Sequence, residues 1–307
     1  MKFQFNANIQ KVYWVKKALA LKNKKYKILK IMSAKTKYKL VKTNNIYNLP
    51  YKVFKFDTKD KTCCKICNSK AYKIFTKKIL NKYDVNYYQC SNCGAIFTQE
   101  PYWLNEAYSD AITSSDIGIL SRNINIAKIL ENIIYNNFDK NRRFLDYGGG
   151  YGILTRLMRD KGFEFYLYDK YCENLFAKHF KISDLQISER FEFVSAFEVL
   201  EHASNVLELL TDIFKITDNF IFTTELNNIA INEDWWYFAP EHGQHIMFYT
   251  YKSLELLAKK FNKNFYTNGF IHAFSNNNDF SFEKYYGKRL PTLLVKDFDF
   301  IKYFKIN

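Results

Sequence analysis

The chain has 307 residues, room for one large domain or two unequal ones, and its 48% hydrophobic and 25% charged content fit a globular fold with an ample core. No apolar run reaches the roughly 20 residues that span a bilayer, and the N-terminus lacks the apolar block and cleavage site of a signal peptide. The expectation is a cytoplasmic enzyme. The net charge of +15 is lopsided, because residues 1–62 carry seventeen lysines against Asp57 and Asp60 while the remainder is balanced.

In chain order, residues 1–62 read as a basic extension with short helical or strand-like runs such as VYWVKKALAL and no core pattern. Its charge suits peripheral contact with an anionic surface, nucleic acid or lipid. It equally suits a solvated appendage, or an over-long reading of the gene with Met32 as the true start. Residues 63–98 hold five of the six cysteines. Cys64-x-x-Cys67 and Cys90-x-x-Cys93 lie 22 residues apart, and two such pairs supply four thiolates, each short loop giving half of a tetrahedral cage. Gly94 permits the tight turn that aims backbone amides at sulfur. AYKIFTKKIL and YDVNYYQC can each form a strand between the pairs. The segment reads as a zinc ribbon whose Zn2+, with no open position, is structural. Structural disulfides are disfavoured in a chain with no export signal. Cys63 competes with Cys64 for the first ligand position, and Cys172, alone, reads as a buried apolar residue.

From residue 99 the pattern alternates: RFLDYG, a helical GILTRLMRDKG, FEFYLYDK, a helical CENLFAKHF, then FEFVSAFEV. A helical SNVLELLTDIFKI, FIFTTE and a helical YKSLELLAKKF continue it. Strands separated by helices of this length imply a parallel sheet covered on both faces. The domains expected are 1–62, 63–98, 99–275 and a C-terminal extension over 276–307.

Four of the ten glycines fall in FLDYGGGYG, Phe144 to Gly152, behind an apolar run that ends in an acid. The dinucleotide pattern G-x-G-x-x-G fails on both registers, since Ile153 or Thr155 stands where the third glycine belongs. No Gly-Lys-Ser/Thr follows, so it is not a P-loop. Asp146 would repel a pyrophosphate but suits a ligand carrying an ammonium or sulfonium charge. Asp169 ends the next strand, where an acid can accept both hydroxyls of a ribose. A glycine turn, a cation-friendly acid and a ribose-binding acid together describe S-adenosylmethionine (SAM).

Residues 100–272 resemble class I SAM-dependent methyltransferases, through EPYWLNEAYSDAI, SDIGILSRN, LDYGGGYGILTRLMRDKGF, YDKYCENLFA, AFEVLEH and WWYFAPEHGQHIMFYT. The cysteine segment looks like the zinc domain that some bacterial members carry in front, in a subgroup associated with sugar and surface-polysaccharide biosynthesis. The resemblance implies an α/β fold: a Rossmann-like methyltransferase sheet with helices on both faces, preceded by a small zinc ribbon. It implies that Asp146, Gly148 and Gly150 line the methionine and ribose end of the cofactor. Asp169 would hold the ribose hydroxyls, with Ala196 and Phe197 beside the methionine moiety. The acid-bearing loop that often recognises adenine is not evident between 178 and 192, so those residues stay unassigned.

Methyl transfer from a sulfonium is an in-line displacement, so alignment is the main requirement, and a hydroxyl nucleophile also needs a base. Of five histidines, His202 follows Glu201 just past the FEFVSAFEV strand. His242 and His245 lie in PEHGQH between Trp235, Trp236, Tyr237 and Tyr249, aromatics on which a sugar face can stack. His245 is the expected base and His202 the second candidate, whereas His179 and His272 read as structural. Related sugar C-methyltransferases carry His-Glu-His where this chain has Gly243-Gln244-His245, and a neutral Gln cannot take a proton from carbon. O-methylation of a small-molecule or carbohydrate acceptor is favoured. An RNA methyltransferase is the alternative, weakened by the neutral body and the absence of N-P-P-[YF]-type sequences. The other is a non-catalytic SAM-fold or zinc-ribbon interaction module.

Overall fold

The computed structural model of the chain describes residues 51–109, 118–185, 190–228 and 231–287. The expectations for residues 1–50, including Met32 as a start, and for 288–307 lie outside the described residues. In chain order the strands are β1 (Asp57–Cys63), β2 (Lys70–Ile79), β3 (Tyr83–Cys90), β4 (Ile96–Thr98), β5 (Arg143–Tyr147) and β6 (Glu164–Tyr168). They continue with β7 (Phe193–Phe197), β8 (Phe220–Thr223), β9 (Met247–Phe248), β10 (Asn264–Thr267) and β11 (His272–Ser275). The helices are α1 (Leu104–Ala107), α2 (Ile119–Asn137), α3 (Ile153–Asp160), α4 (Val206–Ile216) and α5 (Tyr251–Lys260).

Six strands form the main sheet in the order β10-β11-β8-β7-β5-β6. Strands β6, β5, β7 and β8 are parallel, as the alternation of strand and helix requires. The sheet is not wholly parallel, because β11 runs antiparallel to β8 and β10 antiparallel to β11. Only a short turn joins β10 to β11, too little chain for a crossover. Alternate strand residues divide between two cores. Phe144, Phe193 and Ile221 face Ile126, Leu130, Ile133 and Ile134 of α2 and Met158 of α3. Leu145, Val194, Phe220 and Phe222 face Leu210 and Ile213 of α4 and Leu254 and Leu257 of α5. Apolar residues at helical spacing thus meet a period-two strand pattern on each face. Asn205 caps α4 by accepting from the Glu208 amide, and Thr250 with Ser253 forms a capping box on α5.

The second sheet is antiparallel, in the order β1-β2-β3-β4-β9. Its last strand comes from the methyltransferase-like body: β9 pairs Phe248 with Ile96 and Met247 with Phe97. Cys64, Cys90, Cys93 and Phe97 share one core with α4 and α5. The boundary expected at residue 62 falls inside β1, which pairs with β2, and the Phe54 amide already donates to Gln89 Oε1. The boundary expected at 275 is likewise crossed by packing, since Phe280 is buried in the core under α2 and the Ser281 amide donates to Asn137 Oδ1. The helix expected over CENLFAKHF does not form. Asn174 turns its side chain onto Ala177, accepting from its amide and donating to its carbonyl, an alternative to helical bonding. Leu175 and Phe176 are exposed, so no buried apolar stripe holds a helix there.

Candidate active site

The parallel strands leave the glycine loop, Asp169 and the Glu198–His202 turn beyond their carboxyl ends, the edge where ligands bind in open α/β sheets. The loop from Gly148 to Gly152 joins β5 to α3. Gly149 must be glycine for packing, because an added Cβ would meet Asp146 Oδ2 at 2.3 Å. Gly150 stands at φ +58° with open space where a Cβ would point, which leaves that side of the backbone free for a ligand. Its amide donates to Asp169 Oδ2 at 2.8 Å. Asp169 Oδ1 accepts from the Tyr171 and Cys172 amides at 2.8 and 2.7 Å. The half-buried Asp169 therefore latches two loops and keeps lone pairs for hydroxyl donors.

Asp146 lies differently from the expectation. It is 2% exposed beneath the loop, with Oδ1 accepting from Ser195 Oγ at 3.1 Å and Oδ2 without a partner. Burial first, and nearby Asp169 second, push its carboxyl up to about 7 against the pull of the Ser195 hydrogen bond. Its reach to a cofactor is through its field, not by lining an open wall. Ala196 is wholly buried and packs into the core on the α4–α5 side, so its side chain lines no cleft, whereas Phe197 is half-buried against the opposite core. Cys172 is half-buried rather than core, and burial beside Asp169 pushes its thiol up to about 11.

The two candidate histidines, read as alternative bases, are brought together. The His202 and His245 rings meet edge to face with centroids 4.9 Å apart. His245 Nδ1 lies 2.7 Å from the Tyr237 carbonyl oxygen, and His202 Nδ1 lies 3.1 Å from that of Gln244 and 3.0 Å from the Tyr108 hydroxyl. A carbonyl oxygen only accepts, so each Nδ1 carries the proton and each Nε2 keeps its lone pair. Burial holds both rings neutral, pulling His202 down to about 4 and His245 to about 3. An imidazole that weak is poorly matched to taking a hydroxyl proton by itself at neutral pH. Tyr108 also stacks on Tyr171 at 4.8 Å, roofing the same corner.

Beside the rings lies Glu201, 0% exposed, neither of whose oxygens has a hydrogen-bond partner among the described residues. The hydroxyls of Tyr237 and Thr224 temper its charge without closing to hydrogen-bond distance, and burial with the neighbouring Glu198 carboxylate holds its carboxyl well above the usual range. Glu198 sits at φ +55°, with Oε1 accepting from Thr223 Oγ1 at 2.8 Å. These two acids carried no role in the sequence reading. The available signal was E-x-x-E-H directly after a strand, two acids and a histidine at the ligand-binding edge. Of the aromatics, Tyr237 and Tyr249 are core and Trp235 packs partly against the core around Tyr237, whereas Trp236 is 43% exposed. His272 is structural as expected, between Thr267 Oγ1 and the Thr224 carbonyl, while His179 is exposed at φ +67°.

The cysteine cluster brings Cys64, Cys67, Cys90 and Cys93 together, their sulfurs all within 4.8 Å of one another. Cys64 Sγ is 3.7 Å from that of Cys93, and Cys67 Sγ 3.5 Å from that of Cys90. Four sulfurs on Zn2+ at about 2.3 Å would stand about 3.8 Å apart, so the cluster fits with little movement. The amides of Ile66, Asn92 and Cys93 point at sulfur at 3.4 Å each. Cys63 is exposed and lies outside the cluster, whereas Cys64 is buried within it.

Residues 122–266 match the model of a family described as a methyltransferase domain. Among solved structures, the chain is similar to CalO1, a methyltransferase in calicheamicin biosynthesis in its SAH-bound form (12% identity, covering 50% of this chain and 55% of that one, TM-score 0.35). It is also similar to the mitomycin 7-O-methyltransferase MmcR (13% identity, 56% and 59%, TM-score 0.36). A third is the plantazolicin methyltransferase BpumL in complex with a monoazolic desmethylPZN analog and SAH (10% identity, 57% and 93%, TM-score 0.39). The match spans little more than half of the first two chains, and likenesses this faint carry no substrate across. No curated protein matches the sequence.

Proposed function

We propose that the protein O-methylates a sugar or sugar-linked intermediate of a bacterial surface glycan, using SAM bound between the glycine loop and Asp169. The observation that carries this reading is one sheet edge with two chemically distinct ends. At one end Gly150 offers open backbone and Asp169 a latched carboxylate. At the other stand two neutral imidazoles and a buried acid. When bound, SAM supplies a sulfonium methyl: the acceptor oxygen gives the pair for the new C–O bond, the C–S pair stays on sulfur, and the hydroxyl proton is released. In this reading Asp169 accepts from the ribose hydroxyls, and the Asp146 field favours the cofactor's positive charge. His202 and His245 face the acceptor, and Trp236 offers a stacking surface for a sugar ring. The four cysteines hold one structural Zn2+, a closed site whose donors leave no position for substrate.

The test is single-turnover methyl transfer from labelled SAM to a panel of nucleotide-linked and lipid-linked sugars. A base-stable methyl ether is the expected product. His245→Ala is expected to retain SAM affinity while transfer falls about 10²–10⁴-fold, the scale for losing a group that assists proton removal. Transfer to RNA in place of any sugar would overturn the glycan assignment, and normal transfer in both His245→Ala and His202→Ala would remove the histidines from the chemistry.

A further inference from the structure

We propose that Glu201, His202 and His245 form a second metal site, distinct from the cysteine cluster, that takes one divalent cation of the Mn2+, Co2+ or Zn2+ class. One oxygen of Glu201 and one nitrogen of each histidine lie within 4.8 Å of one another, a spacing that small side-chain rotations close onto one ion at bonds of about 2.1 Å. Glu201 is the independent observation. A carboxyl 0% exposed with both oxygens unpartnered is costly to bury, and a cation is the partner that both oxygens lack.

The histidines are arranged as ligands are. Each directs Nδ1 at a backbone carbonyl, Tyr237 for His245 and Gln244 for His202, the outer hydrogen bond that fixes ring orientation and leaves Nε2 as donor. Charge fits as well: two acids, Glu198 and Glu201, stand in this corner beside two imidazoles, and a divalent ion is a counter-charge that lets both ionise. Glu198 is held at φ +55°, a strained conformation for a non-glycine residue that places the acid in this corner. Two imidazoles and a carboxylate leave coordination positions open, unlike the four thiolates, and the donor set suits borderline cations over Mg2+ or Ca2+. The ion's task rests on the methyltransferase reading: it would hold an acceptor through two neighbouring oxygens and make one hydroxyl easier to deprotonate.

The experiment titrates Mn2+ into the full chain, its cysteine site left zinc-loaded because thiolates keep zinc against manganese. Paramagnetic resonance counts the bound ion, and SAM calorimetry is run on the same samples. One Mn2+ per chain is expected, with a rise in Tm on its addition. Glu201→Gln, near-isosteric and relieved of a buried charge, should stay folded and lose Mn2+ affinity at least about 100-fold. His245→Ala should do the same. No Mn2+ bound, or binding that survives both substitutions, overturns the proposal. Mn2+ bound without any SAM binding would keep the metal site and defeat the methyltransferase reading, whereas SAM bound without Mn2+ would do the reverse.

Discussion

At the scale of single residues, Asp146 shows what burial does to an acid that the sequence marks as ligand-facing. The glycines that open the loop to a ligand on one side also close it over Asp146 on the other, with Gly149 against its Oδ2. Its carboxyl is pushed from 3.8 up to about 7, so the folded chain holds a proton that the unfolded chain releases. The stability this contributes is complete below about pH 4, is lost as pH rises to about 7, and changes no further above that. Asp146→Asn removes the titration. Urea unfolding at a series of pH values should show the variant gaining on the parent between pH 4 and 7, to at most about 4 kcal/mol. A constant difference between the two across that window would mean Asp146 is ionised in the fold.

At the scale of elements, the cysteine sheet and the histidine corner are one construction. Strand β4 pairs with β9, which follows His245 by two residues, and the Ile246 amide donates to the Glu201 carbonyl. Lys252 donates to the Asn92 carbonyl, and Asn227 to that of Gly94. Cys90→Ser is therefore expected to lower zinc from about one per chain by elemental analysis to well below that. It should also loosen the His202–His245 corner more than the glycine loop, so hydrogen exchange should rise at 244–249 before it rises at 148–152. Equal protection at 244–249 in parent and variant would separate the two units. The strands β5 to β8, the helices α3, α4 and α5 and the cysteine pairs were legible in the sequence because period-two and helical patterns and C-x-x-C spacing are local. Strands β9, β10 and β11 were not, since two to four residues carry too little pattern and their partners are distant in sequence. Glu201 was missed for a similar reason. Only folding shows that, among the described residues, neither of its oxygens has a hydrogen-bond partner.

At the scale of the whole molecule, residues 1–62 are rich in lysine while the charges of the remainder balance. Among the described residues no helix is long and apolar enough to cross a membrane. The body alone accounts for the proposed chemistry, with the cofactor end on β5 and β6 and the acceptor end on β7, β8 and the segment before β9. The central claim is that the edge between Gly150 and Asp169 binds SAM. Calorimetry of the full chain and of Asp169→Ala with SAM tests it most directly. The account predicts one SAM per chain, weakened at least about tenfold in Asp169→Ala through lost charge-assisted hydrogen bonds. No heat with SAM, or tight binding of NAD in its place, would contradict it.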